Sequence, residues 1–116
     1  MKMRVYISGP ITGTADFIER FDKAESELNA AGCDTVNPAR CNMYLPDNLK
    51  HEEFMHVCKA QMDLCQAIYM LNGWENSNGC RQEFEYASRH GISITFEGGT
   101  CCGTQTYKSL RIQSKG

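Results

Sequence analysis

No stretch of the chain approaches the ~20 consecutive apolar residues that cross a bilayer as a helix. The longest apolar runs are of the size of Ala67 to Leu71, and Met1 to Gly9 holds no extended signal-peptide core. Neither a membrane partner nor export is therefore expected, and the cytoplasm is the expected location. Charge of one sign is equally scarce. Twelve Lys and Arg stand against fourteen Asp and Glu, for a formal net charge of -2. The basic residues are scattered, so the chain has neither a basic stripe for nucleic acid nor an acidic tail. A small-molecule partner fits better. Metal-ligand spacing is missing too. Cysteine is abundant, but the seven residues form an odd number with no CxxC pair and no Cys/His cluster. Reduced thiols are expected, several of them buried as small hydrophobes, with no metal and no cofactor. The adjacent Cys101 and Cys102 read as a Gly-flanked loop, with metal binding or redox pairing as the lesser alternative.

What is present suffices for one core. The 116 residues are 41% hydrophobic, the size of a single domain. Met3 to Ser8 is β-branched and aromatic and stops at Gly9-Pro10, as a buried strand does on entering a loop. Phe17, Phe21, Ala24 and Leu28 then recur with helical spacing, with Asp16 as N-cap and Gly32 as stop. Cys33 to Val36 reads as a short second strand ended by Asn37-Pro38, and Ala39 to Lys50 has no period. A second helix is expected from His51 to Leu64, with Phe54, Met55, Cys58 and Met62 on one face. Ala67 to Leu71 reads as a strand buried on both faces. Asn72 to Asn78 reads as a loop, Gly79 to His90 as a helix with Cys80, Phe84 and Ala87 inward, and Ile92 to Phe96 as a fourth strand.

Strand and helix thus alternate. That is the pattern of an α/β, doubly wound, Rossmann-like (flavodoxin-like) parallel sheet of about four to five strands with helices on both faces. The domain is expected over residues 1–96. Residues 97–116 are expected to form a loosely ordered tail with a short strand as a candidate near Leu110. In such folds ligands bind outside the carboxyl ends of the strands, so the loops at Gly9 to Gly13, Pro38 to Cys41 and Asn72 to Gly79 should share one rim.

The first of these loops, Ser8-Gly9-Pro10-Ile11-Thr12-Gly13, places glycines and hydroxyls where free backbone N–H groups favour an anion. It lacks the GxGxxG and GxxxxGK[ST] spacings, so a plain strand-to-helix connection explains it equally well. Ser77 sits at a cap position before Gly79, where its hydroxyl can satisfy helical N–H groups or reach an anion. Trp74, the only tryptophan, lies in the same loop and is placed to stack on a base or to pack against the first helix. Glu83 falls one turn after Cys80 and one before Ala87, at the border of the inward face. The helix dipole there is expected to favour its ionised form, as a nucleophile requires. Glu85 should point away, and Glu75 is a second candidate acid.

The segments VYISGPITG (Val5 to Gly13), NPA (Asn37 to Ala39), AIYMLNGWENSNG (Ala67 to Gly79) and EFEYA (Glu83 to Ala87) resemble the nucleoside 2-deoxyribosyltransferase-like superfamily, nearest to its short bacterial and phage branch. The resemblance runs from Met3 to Phe96, and the Ser77-x-Gly79-x-x-x-Glu83 spacing is its most specific part. It implies that Glu83 attacks the anomeric carbon of a deoxyribosyl group. Similarity to 2′-deoxynucleoside 5′-phosphate N-hydrolases implies that Ser77 contacts a 5′-phosphate. Ser8, Gly9, Thr12, Gly13 and Gly79 would complete the phosphate cradle. Tyr6, Pro10, Ile11, Asn37, Gln66, Trp74 and Glu75 would surround sugar and base.

Gln66 stands where relatives often carry Asp, so leaving-group protonation would fall to Glu75, Asp63 or water, and Glu85 adds bulk where many relatives have Gly. The expected function is cleavage of the N-glycosidic bond of a (deoxy)nucleoside 5′-monophosphate, by hydrolysis or transfer, in a homodimer or higher homo-oligomer. A non-catalytic nucleotide-binding protein is the alternative, and cleavage of a cyclic or dinucleotide at the same bond a third.

Overall fold

The computed structural model describes residues 2–98. The strands β1 (Arg4–Ser8), β2 (Asp34–Val36), β3 (Ala67–Met70) and β4 (Ser93–Phe96) form one sheet in the order β2-β1-β3-β4. All three pairings are parallel, with Val5 opposite both Thr35 and Ala67, and Ile68 opposite Ile94. The helices are α1 (Phe17–Ala30), α2 (Pro38–Cys41), α3 (His51–Met62) and α4 (Asn78–Arg89). The expected α/β architecture, a doubly wound parallel sheet, is the one observed.

The two-residue period of a strand divides the core. Tyr6, Ile68, Met70 and Ile94 face α3 and α4, where they meet Cys58, Met62, Cys80 and Ala87. Ile7 and Tyr69 face the other way, toward Phe21 and Ala24 of α1 and Ala39 of α2. Each fully buried side chain of this size contributes roughly 1.5–3 kcal/mol, so both layers hold the sheet.

The helix stops follow local chemistry. Gly32 adopts φ +92°, and the N–H groups of Gly32 and Cys33 donate to the carbonyls of Asn29 and Leu28, which closes α1 as a Schellman turn. Asp16 occupies the N-cap position of α1, but its side chain makes no capping hydrogen bond. Most element ends shift by one or two residues from the sequence reading, and one region differs more. Strand β2 begins at Asp34, and the segment after Asn37 opens with the short helix α2. The Asn37 side chain accepts the Ala39 N–H at 3.1 Å with Pro38 following it, an N-cap and first-turn proline pair that apolar periodicity does not register. A short 3₁₀ turn, Trp74–Asn76, interrupts the loop before α4. The expected tail lies outside the described residues from 99 onward, Cys101 and Cys102 included. No helix among the described residues is long and apolar enough to cross a membrane.

Candidate active site

Strand β1 and the loop after it, the amino-terminal halves of α3 and α4, Phe21 of α1 and Pro38 of α2 enclose a cavity of about 450 Å³, within the range of small-ligand sites. Its shape depends on close approach at Gly9, where an added Cβ would lie 2.7 Å from Leu71 Cδ1 and 3.1 Å from Leu71 Cβ. Of the residues singled out in the sequence, Tyr6, Gly9, Ile11, Thr12, Ser77, Gly79 and Glu83 line this cavity.

Glu83 is 6% exposed. Its Oε2 accepts a hydrogen bond from the Tyr6 hydroxyl at 2.7 Å, and its Oε1 accepts one from the Ser8 hydroxyl at 2.6 Å. Strand β1 supplies both donors although successive side chains point to opposite faces, because Tyr6 and Ser8 are two residues apart. Burial pushes the Glu83 carboxyl above its ordinary value, and hydrogen bonds from Ser8, Tyr6 and Cys58 oppose that shift. The expected control by the helix dipole is therefore corrected. Glu83 lies in the second turn of α4, beyond the turn where the dipole acts strongly, and desolvation outweighs it. The neighbours feel the carboxylate in turn. The Tyr6 hydroxyl is held well above its ordinary value, by burial first and then by the Glu83 charge. The Cys58 thiol is pushed up to about 12 for the same two reasons.

Ser77 caps α4, its Oγ accepting the Cys80 N–H at 3.3 Å, while it also borders the cavity. Capping and ligand contact are thus compatible at this position. The remaining sequence candidates lie elsewhere. Ser8 is 1% exposed and turned to Glu83, so it supports the carboxylate instead of the cavity surface. Gly13 and Pro10 belong to the loop but not to the cavity lining. Asn37 caps α2, and its amide donates to Asp22 and Glu25 at 3.1 and 3.0 Å. Trp74 stacks on Phe84, with ring centroids 4.7 Å apart and planes 12° apart, and lies near Phe96. It packs against α4 and β4 instead of α1, and it does not line the cavity.

Gln66 is placed at the other end of the sheet. Its Oε1 accepts the Arg4 N–H at 2.8 Å, at the start of β3. Asp63 sits nearby and accepts the Tyr86 hydroxyl at 2.6 Å. Glu75 is exposed outside the cavity. None of the three reaches the site. Glu85 pairs with Arg89 at 3.0 Å on the solvent side of α4, so it adds no bulk beside Glu83.

Residues 3–96 match the family described as Domain of unknown function (DUF4406). The chain belongs to that family. No curated protein matches the sequence. Among solved structures, the chain is similar to the 2-deoxyribosyltransferase of the psychrotolerant bacterium Bacillus psychrosaccharolyticus. The TM-score is 0.64 at 12% identity, covering 80% of this chain and 70% of that one. This likeness shows a shared fold, and it agrees with the distant nucleoside 2-deoxyribosyltransferase-like resemblance read from the motifs. For this member of DUF4406, Pro38 lies on the expected rim, whereas Phe21, Leu49, Phe54 and His51 are wall residues that the sequence does not single out for the site. Apolar spacing assigns Phe54 to a core face, and His51 reads in the sequence only as a helix start. An ionisable ring at the first position of a helix that opens on the same rim is the signal that could have identified His51.

Proposed function

We propose that this protein cleaves the N-glycosidic bond of a (deoxy)nucleoside 5′-monophosphate, with Glu83 as nucleophile. The observation that carries the proposal is a carboxylate buried in a cavity wall and held by two hydroxyl donors, Tyr6 and Ser8, with no cation paired to it among the described residues. A structural carboxylate in a core is normally neutralised by a partner of opposite charge. One held by neutral donors alone is oriented but keeps its charge available for a developing cation.

The chemistry follows. As the C1′–N bond breaks, its electron pair leaves with the base and the sugar acquires oxocarbenium character. A Glu83 oxygen stabilises that charge and then bonds C1′ as a glycosyl ester. Water attacking C1′ releases the sugar phosphate and restores the carboxylate; a second base attacking instead gives transfer. Solvent supplies the proton taken up by the departing base, since Glu75 and Asp63 lie outside the cavity. The apolar wall of Ile11, Leu49, Phe54 and Met55 suits a base, and Thr12, Ser77 and Gly79 suit a phosphate. Deoxyribosyl transfer, the activity of the structural neighbour, acts on the same kind of bond.

Incubation with the common nucleosides and their 5′-monophosphates, with free base read by chromatography, tests the proposal. Base release, together with a sugar-phosphate adduct on the Glu83 peptide after reaction with a slow 2′-fluoro nucleotide, is the expected result. Nucleotide binding without release from any substrate would turn the reading to a nucleotide-binding protein.

A further inference from the structure

The geometry points to His51 as the residue that reads the 5′-phosphate and sets the preference for nucleotide over nucleoside; this rests on the proposed nucleotide substrate. The Glu83 carboxylate repels an anion, so a phosphate in this cavity must lie away from it. The far end is formed where the first turns of α3 and α4 meet. Among the described residues, no Lys or Arg lines the cavity, and His51 is its one basic side chain.

His51 borders that end directly. A methyl group on Gly79 would lie 3.9 Å from His51 Cε1 and 4.0 Å from Ser77 Oγ. The imidazole and the serine hydroxyl therefore converge on one point beside the α4 backbone, with the Met55 thioether 3.5 Å away on its apolar side. Gln82, one turn along α4, lies with its Nε2 3.2 Å from His51 Nε2. That contact, at the solvent-exposed mouth, spans the gap between the helices and engages one of the ring nitrogens. Nδ1 has no partner among the described residues. Lys50 and the acidic start of α3 do not displace this assignment, because the Glu53 carboxylate is taken up by the Lys50 N–H at 2.8 Å and Glu52 is exposed outside the cavity lining.

A phosphate monoester at this end would accept from the imidazole, from Ser77 and from backbone N–H groups of α4. Its position would leave the sugar between it and Glu83 and the base against the apolar wall. A nucleoside makes none of these contacts, so the imidazole discriminates between the two substrate classes without touching the reacting bond.

The test is calorimetric titration of the four common 2′-deoxynucleoside 5′-monophosphates and their nucleosides into wild type, His51→Leu and His51→Lys. His51→Leu is expected to weaken the best monophosphate by about 10-fold or more, the usual loss of a hydrogen bond to a charged group. Nucleoside binding should stay within about 2-fold, and His51→Lys should recover most of the monophosphate affinity through its own charge-assisted donor. Selective loss in His51→Leu supports the inference even where wild type releases no base, which separates it from the cleavage reading. Equal loss of both ligand classes, no loss of either, or wild-type binding that does not distinguish monophosphate from nucleoside would overturn it.

Discussion

The two ends of the parallel sheet are built from the same helix and the same strands, yet their polar groups are used in opposite ways. At the amino end, Gln66 is matched to the Arg4 backbone and Asp63 to the Tyr86 hydroxyl. Arg4 donates to the Leu64 carbonyl at 2.7 Å, and the Tyr86 ring stacks on His90 at 3.9 Å. Each group finds its partner next door, and the surface is tied down. At the carboxyl end, one turn earlier on α4, the Glu83 carboxylate is buried with neutral donors only and faces a cavity. Its desolvation cost is opposed but not removed. A fold that spends hydrogen bonds on closure at one rim and on holding an unneutralised carboxylate at the other separates stability from chemistry along the strand direction.

The comparison breaks most visibly at Glu83. Glu83→Gln should lower base release by roughly a thousandfold or more while nucleotide binding survives, because the amide keeps shape but not charge. The same variant should be more stable than wild type near neutral pH. The sign follows from the raised carboxyl value. Between the unfolded and folded values the native state holds the proton that the unfolded state has lost, so the contribution of Glu83 is most favourable below its unfolded value and is lost as pH rises through the folded one. The advantage of Glu83→Gln in thermal midpoint should therefore shrink toward pH 4, at roughly 4–8 °C per kcal/mol for a domain of this size. A midpoint difference independent of pH would contradict the account of the shift.

Tyr6→Phe sharpens the contrast at smaller scale. It removes one donor from the carboxylate, so turnover should fall about 10- to 100-fold. The acid limb of the pH–rate profile should move to higher pH, since the hydroxyl hydrogen bond pulls the Glu83 value down. A drop in rate with an unmoved acid limb would mean that Tyr6 acts only through packing.

At the amino end the effects should be smallest. Asp63→Asn and Gln66→Ala should leave turnover within about 2-fold and cost about 1 kcal/mol or less, because these contacts are exposed and remote from the cavity. Glu85→Gln should change even less, since its pair with Arg89 is solvent-exposed. A large loss of activity in Asp63→Asn would place an acid of the reaction at the wrong end of the sheet and undo the comparison.

The sequence by itself determined the order of elements and most of their faces. Apolar spacing in Phe17 to Leu28 and in Phe54 to Met62, unbroken apolar runs in Val5 to Ile7 and Ala67 to Leu71, and the glycine at Gly32 are local signals, because a helix or strand repeats its own geometry over neighbouring residues. They also put Glu83, Ser77 and Gly79 on one rim, since parallel strands send all their carboxyl ends the same way.

Only the tertiary structure decided which polar groups meet. Tyr6 and Ser8 lie 77 and 75 residues from Glu83 in the chain, and no local pattern encodes such a pairing. The same is true of Trp74, which stacks on Phe84 because the 3₁₀ turn folds it back onto α4, and of Gln66, which the parallel register puts at the start of β3, remote from the cavity. His51 became visible as a wall residue only once α3 and α4 were packed. Partnership at long range is set by how layers stack, and so is the burial that raises the Glu83 carboxyl; neither is a property of any one segment.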